Sequence, residues 1–236
     1  MKAIVTGGSR GIGFAIAEAI VKAGGQVAIT GRDRARVDAA VSKLQAHGAA
    51  ANVAGANVDV RERRAVDAFV ADTASRFGGL DTLVNNAGVG AFADVASMTD
   101  EDWSRVIDTN LTGVFYCTRA AIPLLRQANG AWIINIASLA GRNYFPKGAA
   151  YCASKAALIA FSESLMQEVR FDNIRVTVVM PGSVATEFGG PGSGHADDSW
   201  KLTGDDVAEV VTDLLRHPGR SLPSKVEIRP SKPKKA

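Results

Sequence analysis

Apolar residues fall along this chain in two rhythms. Short continuous runs, such as WIINIA from Trp132 and VTVVM from Val176, alternate with longer stretches whose apolar residues return every three or four positions. The short runs predict strands at 2–6, 26–30, 50–57, 82–85, 131–137, 174–179 and 225–228. The longer stretches predict helices at 11–22, 33–46, 62–77, 100–127, 148–170 and 204–216. Asp33, Thr99 and Thr203 stand where N-caps belong, and Gly24-Gly25, Gly48, Gly78-Gly79 and Gly130 stand where helices stop. Strict alternation of strand and helix implies a doubly wound parallel sheet of seven strands, α/β and Rossmann-type, with helices on both faces. Runs without polar alternation suit strands buried on both sides.

Nothing repeats and no linker interrupts the pattern, so residues 1–236 read as one domain. One segment breaks the rhythm. Residues 183–200 are rich in Gly, Ser and Asp, follow a buried strand and precede a helix, which predicts a flexible substrate lid. Residues 230–236 end in Lys232-Pro-Lys-Lys-Ala236 and read as a disordered tail.

Composition narrows the field. A formal charge of +3, from 27 basic and 24 acidic residues, is too mild for a nucleic-acid binder. No apolar run could span a bilayer, and a first strand that begins at Lys2 leaves no room for a signal peptide, so a cytoplasmic location is expected. Cys117 and Cys152 fall in predicted helices without metal-like spacing and read as reduced thiols. No cluster of His, Cys and Asp has metal spacing, and no metal is expected.

The first strand–helix junction reads VTGGSRGIG. Gly7, Gly11 and Gly13, with Ser9, Arg10 and Ile12 between them, form a turn that lets backbone amides approach a phosphate at a helix N-terminus. The second strand ends in Gly31-Arg32, where a carboxylate would favour NAD. A guanidinium there welcomes a 2′-phosphate, and Arg10 adds a second charge, so NADP(H) is expected over NAD(H). Asp33 could turn toward the ribose, but capping the next helix is its plainer role.

Tyr151 and Lys155 stand one helical turn apart. An ammonium beside a phenol favours phenolate, and lowering the pKa by ~2–3 units corresponds to ~3–4 kcal/mol. A phenol so tuned exchanges protons with an alcohol or carbonyl oxygen. Ser138 ends a buried strand, where sites gather in open sheets, and could hold that oxygen. Alone, a tyrosine and a lysine at this spacing are as readily an inert surface pair.

The ordered set TGGSRGIG, Asp59-Val60, NNAG at 85–88, Asn110 in DTNLTGVF, Ser138, YCASK and PGSVAT resembles the short-chain dehydrogenase/reductase family. The resemblance runs from Thr6 to about Thr186. It implies that Tyr151 donates or accepts the proton, that Lys155 tunes it and holds the nicotinamide ribose, and that Ser138 orients the substrate oxygen. Asn110 would hold a water linking Lys155 to solvent. Asp59 would receive the adenine amino group beside Val60, while Asn86, Ala87 and Gly88 line the adenosine. Pro181, Gly182, Val184 and Thr186 would border the nicotinamide. The implied reaction moves a hydride between the nicotinamide and a small-molecule carbonyl or alcohol. Leu139, Tyr144, Phe145, Phe92 and Phe188 are apolar candidates for the substrate pocket. A homodimer or homotetramer is implied, through the helices at 100–127 and 148–170. The alternative is a regulatory protein that binds NADP without catalysis.

Overall fold

The computed structural model describes residues 1–186, 188 and 198–233. Most of the predicted lid (187 and 189–197) and the end of the predicted tail (234–236) lie outside them. Seven strands form one parallel sheet: β1 (Lys2–Val5), β2 (Gln26–Gly31), β3 (Val53–Asn57), β4 (Thr82–Asn85), β5 (Ala131–Ile136), β6 (Ile174–Pro181) and β7 (Lys225–Ile228). Their order is β3-β2-β1-β4-β5-β6-β7. The direction of winding therefore reverses between β1 and β4, which opens a crevice at the carboxyl ends of those two strands.

Period-2 alternation assigns the two faces. Ala3 and Val5 pack with α1 (Gly11–Lys22), α2 (Arg34–Gln45) and α7 (Gly204–Arg216). Ile4, between them, faces α3 (Arg63–Phe77), α5 (Gly113–Leu125) and α6 (Ala149–Val169). All six residues of β5 are buried, as a central strand covered on both sides requires.

The helix starts obey the caps read from the sequence. Asp33 accepts from the Arg36 amide at 3.1 Å and Thr99 from the Asp102 amide at 3.1 Å. Thr203 and Asp206 cap each other reciprocally. Among the described residues no helix is long and apolar enough to cross a membrane. Cys117 and Cys152 are free and buried.

Several boundaries shift by a residue or two from expectation, and three differences have a local cause. Residues 50–52 form a 3-10 turn, so the strand expected at 50–57 begins at Val53. The helix expected at 148–170 runs Ala149–Val169 and tightens into a 3-10 turn at Arg170–Asp172. The helix expected at 100–127 is two, α4 (Asp100–Ile107) and α5, joined by a π-helical turn at Asp108–Thr112. The wider turn closes with the Gly113 amide on the Asp108 carbonyl. Such single π-turns gather at functional sites, and this one holds Asn110 fully buried.

Candidate active site

The glycine turn after β1 is stapled to the end of β4. Thr6 Oγ1 accepts from the amides of Asn86 and Ala87, both at 3.0 Å. Asn86 Nδ2 donates back to the carbonyls of Thr6 (2.9 Å) and Gly7 (3.1 Å). Gly13 makes this possible: a Cβ there would stand 2.4 Å from Asn86 Nδ2 and 2.5 Å from the Gly7 oxygen. The start of α1 is thereby pressed against both strands, with its first amides at the crevice. Arg10 precedes the helix without a side-chain cap, so those donors remain for an anion.

Beneath the site a polar ladder ties four elements together. Asn85 Nδ2 donates to Asn135 Oδ1 (2.8 Å) and Thr118 Oγ1 (3.1 Å), and Asn135 Nδ2 donates to Ser162 Oγ (2.8 Å). Buried amides paired in this way fix the register of β4, β5, α5 and α6.

A cleft of about 590 Å³ runs along the strand ends. Gly7, Ser9, Arg10, Gly11, Ile12, Arg32, Asp59, Val60, Asn86, Ala87 and Gly88 line it, and so do Ser138, Tyr151, Lys155, Pro181, Gly182, Val184 and Thr186. Gly13 and Asn110 sit behind its wall. Asn110 Oδ1 accepts from the Val89 amide (2.8 Å), while its Nδ2 donates to the Val89 carbonyl and to Ser154 Oγ, both 2.9 Å. Its carboxamide is thus committed to the protein and shapes the wall at Val89.

Charges divide along the cleft. Arg10, Arg32, Asp33, Arg36 and Asp59 lie at one end. Arg36 was missed by sequence reasoning: it reads as an ordinary helix charge, yet α2 begins at Arg34 and its first turn faces the cleft. Arg10 and Arg36 also line a smaller adjoining hollow with Lys43. Asp59, expected to receive an adenine amino group, is already engaged by Arg61, whose Nη2 lies 2.6 Å from Oδ2 and whose amide lies 3.0 Å from Oδ1. The Arg61 hydrogen bonds hold its carboxyl below the usual range. Thr109, also missed, lines the cleft, and its buried Oγ1 has no hydrogen-bond partner among the described residues.

At the other end stand Ser138, Tyr151 and Lys155. Ser138 Oγ accepts from the Ala140 amide at 3.1 Å, which turns the chain off β5. Lys155 is buried; its Nζ donates to the Ile136 carbonyl at 2.8 Å and lies 5.9 Å from the Tyr151 ring centre. Burial pushes Tyr151 up, and a hydrogen bond with Ser138 pulls against that. Lys155, whose Nζ lies 5.9 Å from the ring centre, is not among the causes of that shift. The ammonium is aimed at a backbone carbonyl, and burial pushes Lys155 itself down to about 8.

That depressed value has a stability consequence. Between pH ~8 and ~10.5 the unfolded chain keeps a proton the folded chain has lost, so stability from this group rises with pH, by up to about 1.4 kcal/mol per unit. Below pH 8 the penalty of burying the charge is complete. Lys155→Met, which buries no charge, is expected to be more stable than the wild type at pH 7, with the gap narrowing by pH 10. Urea unfolding at the two pH values measures this, and a pH-independent gap would contradict it.

A family model described as short chain dehydrogenase matches residues 1–193. The chain belongs to the short-chain dehydrogenase/reductase family. An uncharacterised oxidoreductase of Staphylococcus saprophyticus is 34% identical, with 97% of this chain and 96% of that protein covered. An alcohol dehydrogenase from the archaeon Thermococcus sibiricus, solved with 5-hydroxy-NADP, superposes with a TM-score of 0.89 at 28% identity, over 99% of this chain and 98% of that one. A short chain dehydrogenase from Burkholderia cenocepacia, solved with NADP, gives 0.88 at 33% identity, over 97% and 96%. The seven-stranded Rossmann-type fold and membership of an oxidoreductase family that binds nicotinamide dinucleotides thus agree with the sequence reading.

The residues present fit such a dinucleotide. The close approach at Gly13 brings helix amides to the crevice, and three arginines, Arg10, Arg32 and Arg36, gather at one end of the cleft. The amides of Gly11, Ile12 and Gly13 would take the pyrophosphate, and Arg10, Arg32 and Arg36 the 2′-phosphate.

Proposed function

We propose that this protein is an NADP(H)-dependent reductase of small-molecule carbonyl compounds. The observation that carries the reading is the meeting of Ser138, Tyr151 and Lys155 at one end of a cleft whose other end gathers Arg10, Arg32 and Arg36. The hydride taken up by the carbonyl carbon would come from a bound reduced nicotinamide. The protein's own part is to bind and orient the substrate and to deliver the proton. Ser138 Oγ hydrogen-bonds the carbonyl oxygen and holds it beside Tyr151. As negative charge grows on that oxygen, the Tyr151 hydroxyl gives up its proton, and an alcohol results.

Burial, which pushes the Tyr151 phenol up, keeps it protonated at neutral pH, as a proton donor must be, while alcohol oxidation, which needs the phenolate, is expected to speed up at alkaline pH. Lys155 stabilises the phenolate left behind and bonds the nicotinamide ribose. Asn110 and the π-turn position Lys155 and Val89 rather than touch the substrate. Pro181, Gly182, Val184 and Thr186 border the nicotinamide. We assign the protein to the cytoplasm as a homo-oligomer, for which the exposed Phe115 on α5 offers an apolar contact.

The test is NADPH oxidation followed at 340 nm across ketones, aldehydes and acyl thioesters, with NADH alongside. Turnover with NADPH ahead of NADH is expected. Tight NADPH binding with no turnover on any carbonyl would overturn the reading in favour of a non-catalytic binder.

A further inference from the structure

Aromatic rings crowd the outer end of the cleft around Tyr151. The Phe92 ring meets Tyr151 edge-on, with centroids 5.7 Å apart and planes at 63°. Phe188 lies 5.5 Å from Tyr151, and Phe145 lies 6.0 Å from Phe92. Phe188 lines the cleft, and Phe92 and Phe145 carry the apolar surface outward. Their exposures of 39%, 49% and 44% decide what they are: core filler would be buried, and these are not.

The cluster is nonetheless built into the fold. A Cβ on Gly90 would stand 2.8 Å from the Phe92 ring and 3.2 Å from the Phe188 ring. A Cβ on Gly148 would stand 2.6 Å from the Phe145 ring. These glycines let the rings approach the backbone closely. The loops that carry Phe92 and Phe145 are tied together by the Ala93 amide on the Lys147 carbonyl, at 3.0 Å. Of the other sequence candidates, Leu139 is buried in the core and Tyr144 is exposed without a ring contact among the described residues.

Charge is the second observation. Among the described residues that line the cleft near Tyr151, the only cation is Lys155, already bonded to the Ile136 carbonyl. The cations of the flanking loops are matched: Arg142 lies 2.7 Å from Glu227, and Lys147 lies 3.9 Å from Asp94. A carboxylate or phosphate on the substrate would lose its hydration here and gain no counter-charge. A flat neutral ring would instead extend the edge-to-face packing already present.

The geometry points to Phe92, Phe145 and Phe188 as a specificity wall that selects neutral carbonyl compounds bearing an aromatic or flat apolar group, against acidic carbonyl substrates. This rests on the reductase reading above. Three matched substrates test it: methyl benzoylformate, benzoylformate, which differs by a carboxylate in place of the ester, and methyl pyruvate, which lacks the ring. The neutral ring ester is expected to exceed both others in kcat/KM, by about tenfold or more. Phe92→Ala and Phe188→Ala are expected to raise KM for methyl benzoylformate about tenfold while changing KM for methyl pyruvate little, with Phe92→Leu between. NADPH affinity, read by fluorescence titration, should stay the same. Benzoylformate equal to or better than its ester would overturn the inference and leave the reductase reading intact. So would equal losses on the ring and methyl substrates in the Phe variants. Absence of turnover with any carbonyl overturns the reductase reading, and this inference with it.

Discussion

Tyr151→Phe is expected to lower kcat for carbonyl reduction by at least about a thousandfold, the upper part of the range for a general acid. The dissociation constant for NADPH should change by less than about twofold, since that substitution removes one hydroxyl and no packing. The benzene ring remains, so the contacts with Phe92 at 5.7 Å and Phe188 at 5.5 Å survive. What disappears is the proton and its hydrogen bond with Ser138. Ser138 can still hold the substrate oxygen, but the oxygen must then take its proton from water. Stopped-flow single turnovers separate this from slow product release, and equilibrium fluorescence reports the nucleotide. Residual activity above a tenth of the wild type would remove Tyr151 from the proton-donor role. A large loss of NADPH affinity would instead make it a binding residue.

Much of this site is legible in the sequence because its chemistry is local. The glycine turn, the Tyr151–Lys155 spacing and the strand-end Ser138 each sit within one element or one junction. Their elements follow from apolar rhythm alone. What sequence spacing does not carry is direction. It places Lys155 one turn from Tyr151, yet the ammonium points to the Ile136 carbonyl, nineteen positions away on β5. The π-turn is hidden for a related reason. One extra residue barely disturbs the apolar period, and the bonds that Asn110 in this turn makes with Val89 join residues twenty-one positions apart. The aromatic wall draws on three separate loops with no shared period. Its residues are individually visible as candidates, but only the fold brings them together, Phe92 and Phe188 over Gly90 and Phe145 over Gly148. Arg61 lies two positions from Asp59, and the turn that folds it back onto the carboxylate has no strong local signature.

The second large effect concerns the nucleotide. Arg32→Asp is expected to reduce the ratio of kcat/KM with NADPH to that with NADH by at least about a hundredfold, or ~3 kcal/mol. Two terms add. The variant loses a charge-assisted bond to the 2′-phosphate, and it places a carboxylate against that phosphate, while the same carboxylate can accept the free ribose hydroxyls of NADH. Asp33 cannot already supply that function. Its side chain is spent on capping α2 through the Arg36 amide and lies 3.3 Å from the Arg36 guanidinium. The new carboxylate must therefore come from position 32, at the end of β2, where the side chain lines the cleft. Arg10 and Arg36 remain at the same end and keep some attraction for the phosphate, which bounds the shift. The measurement is a pair of saturation curves at fixed carbonyl concentration and low salt, where the charge effect is least screened. A ratio that does not move would show that Arg32 faces solvent when the nucleotide binds, and would pass the specificity role to Arg10 and Arg36.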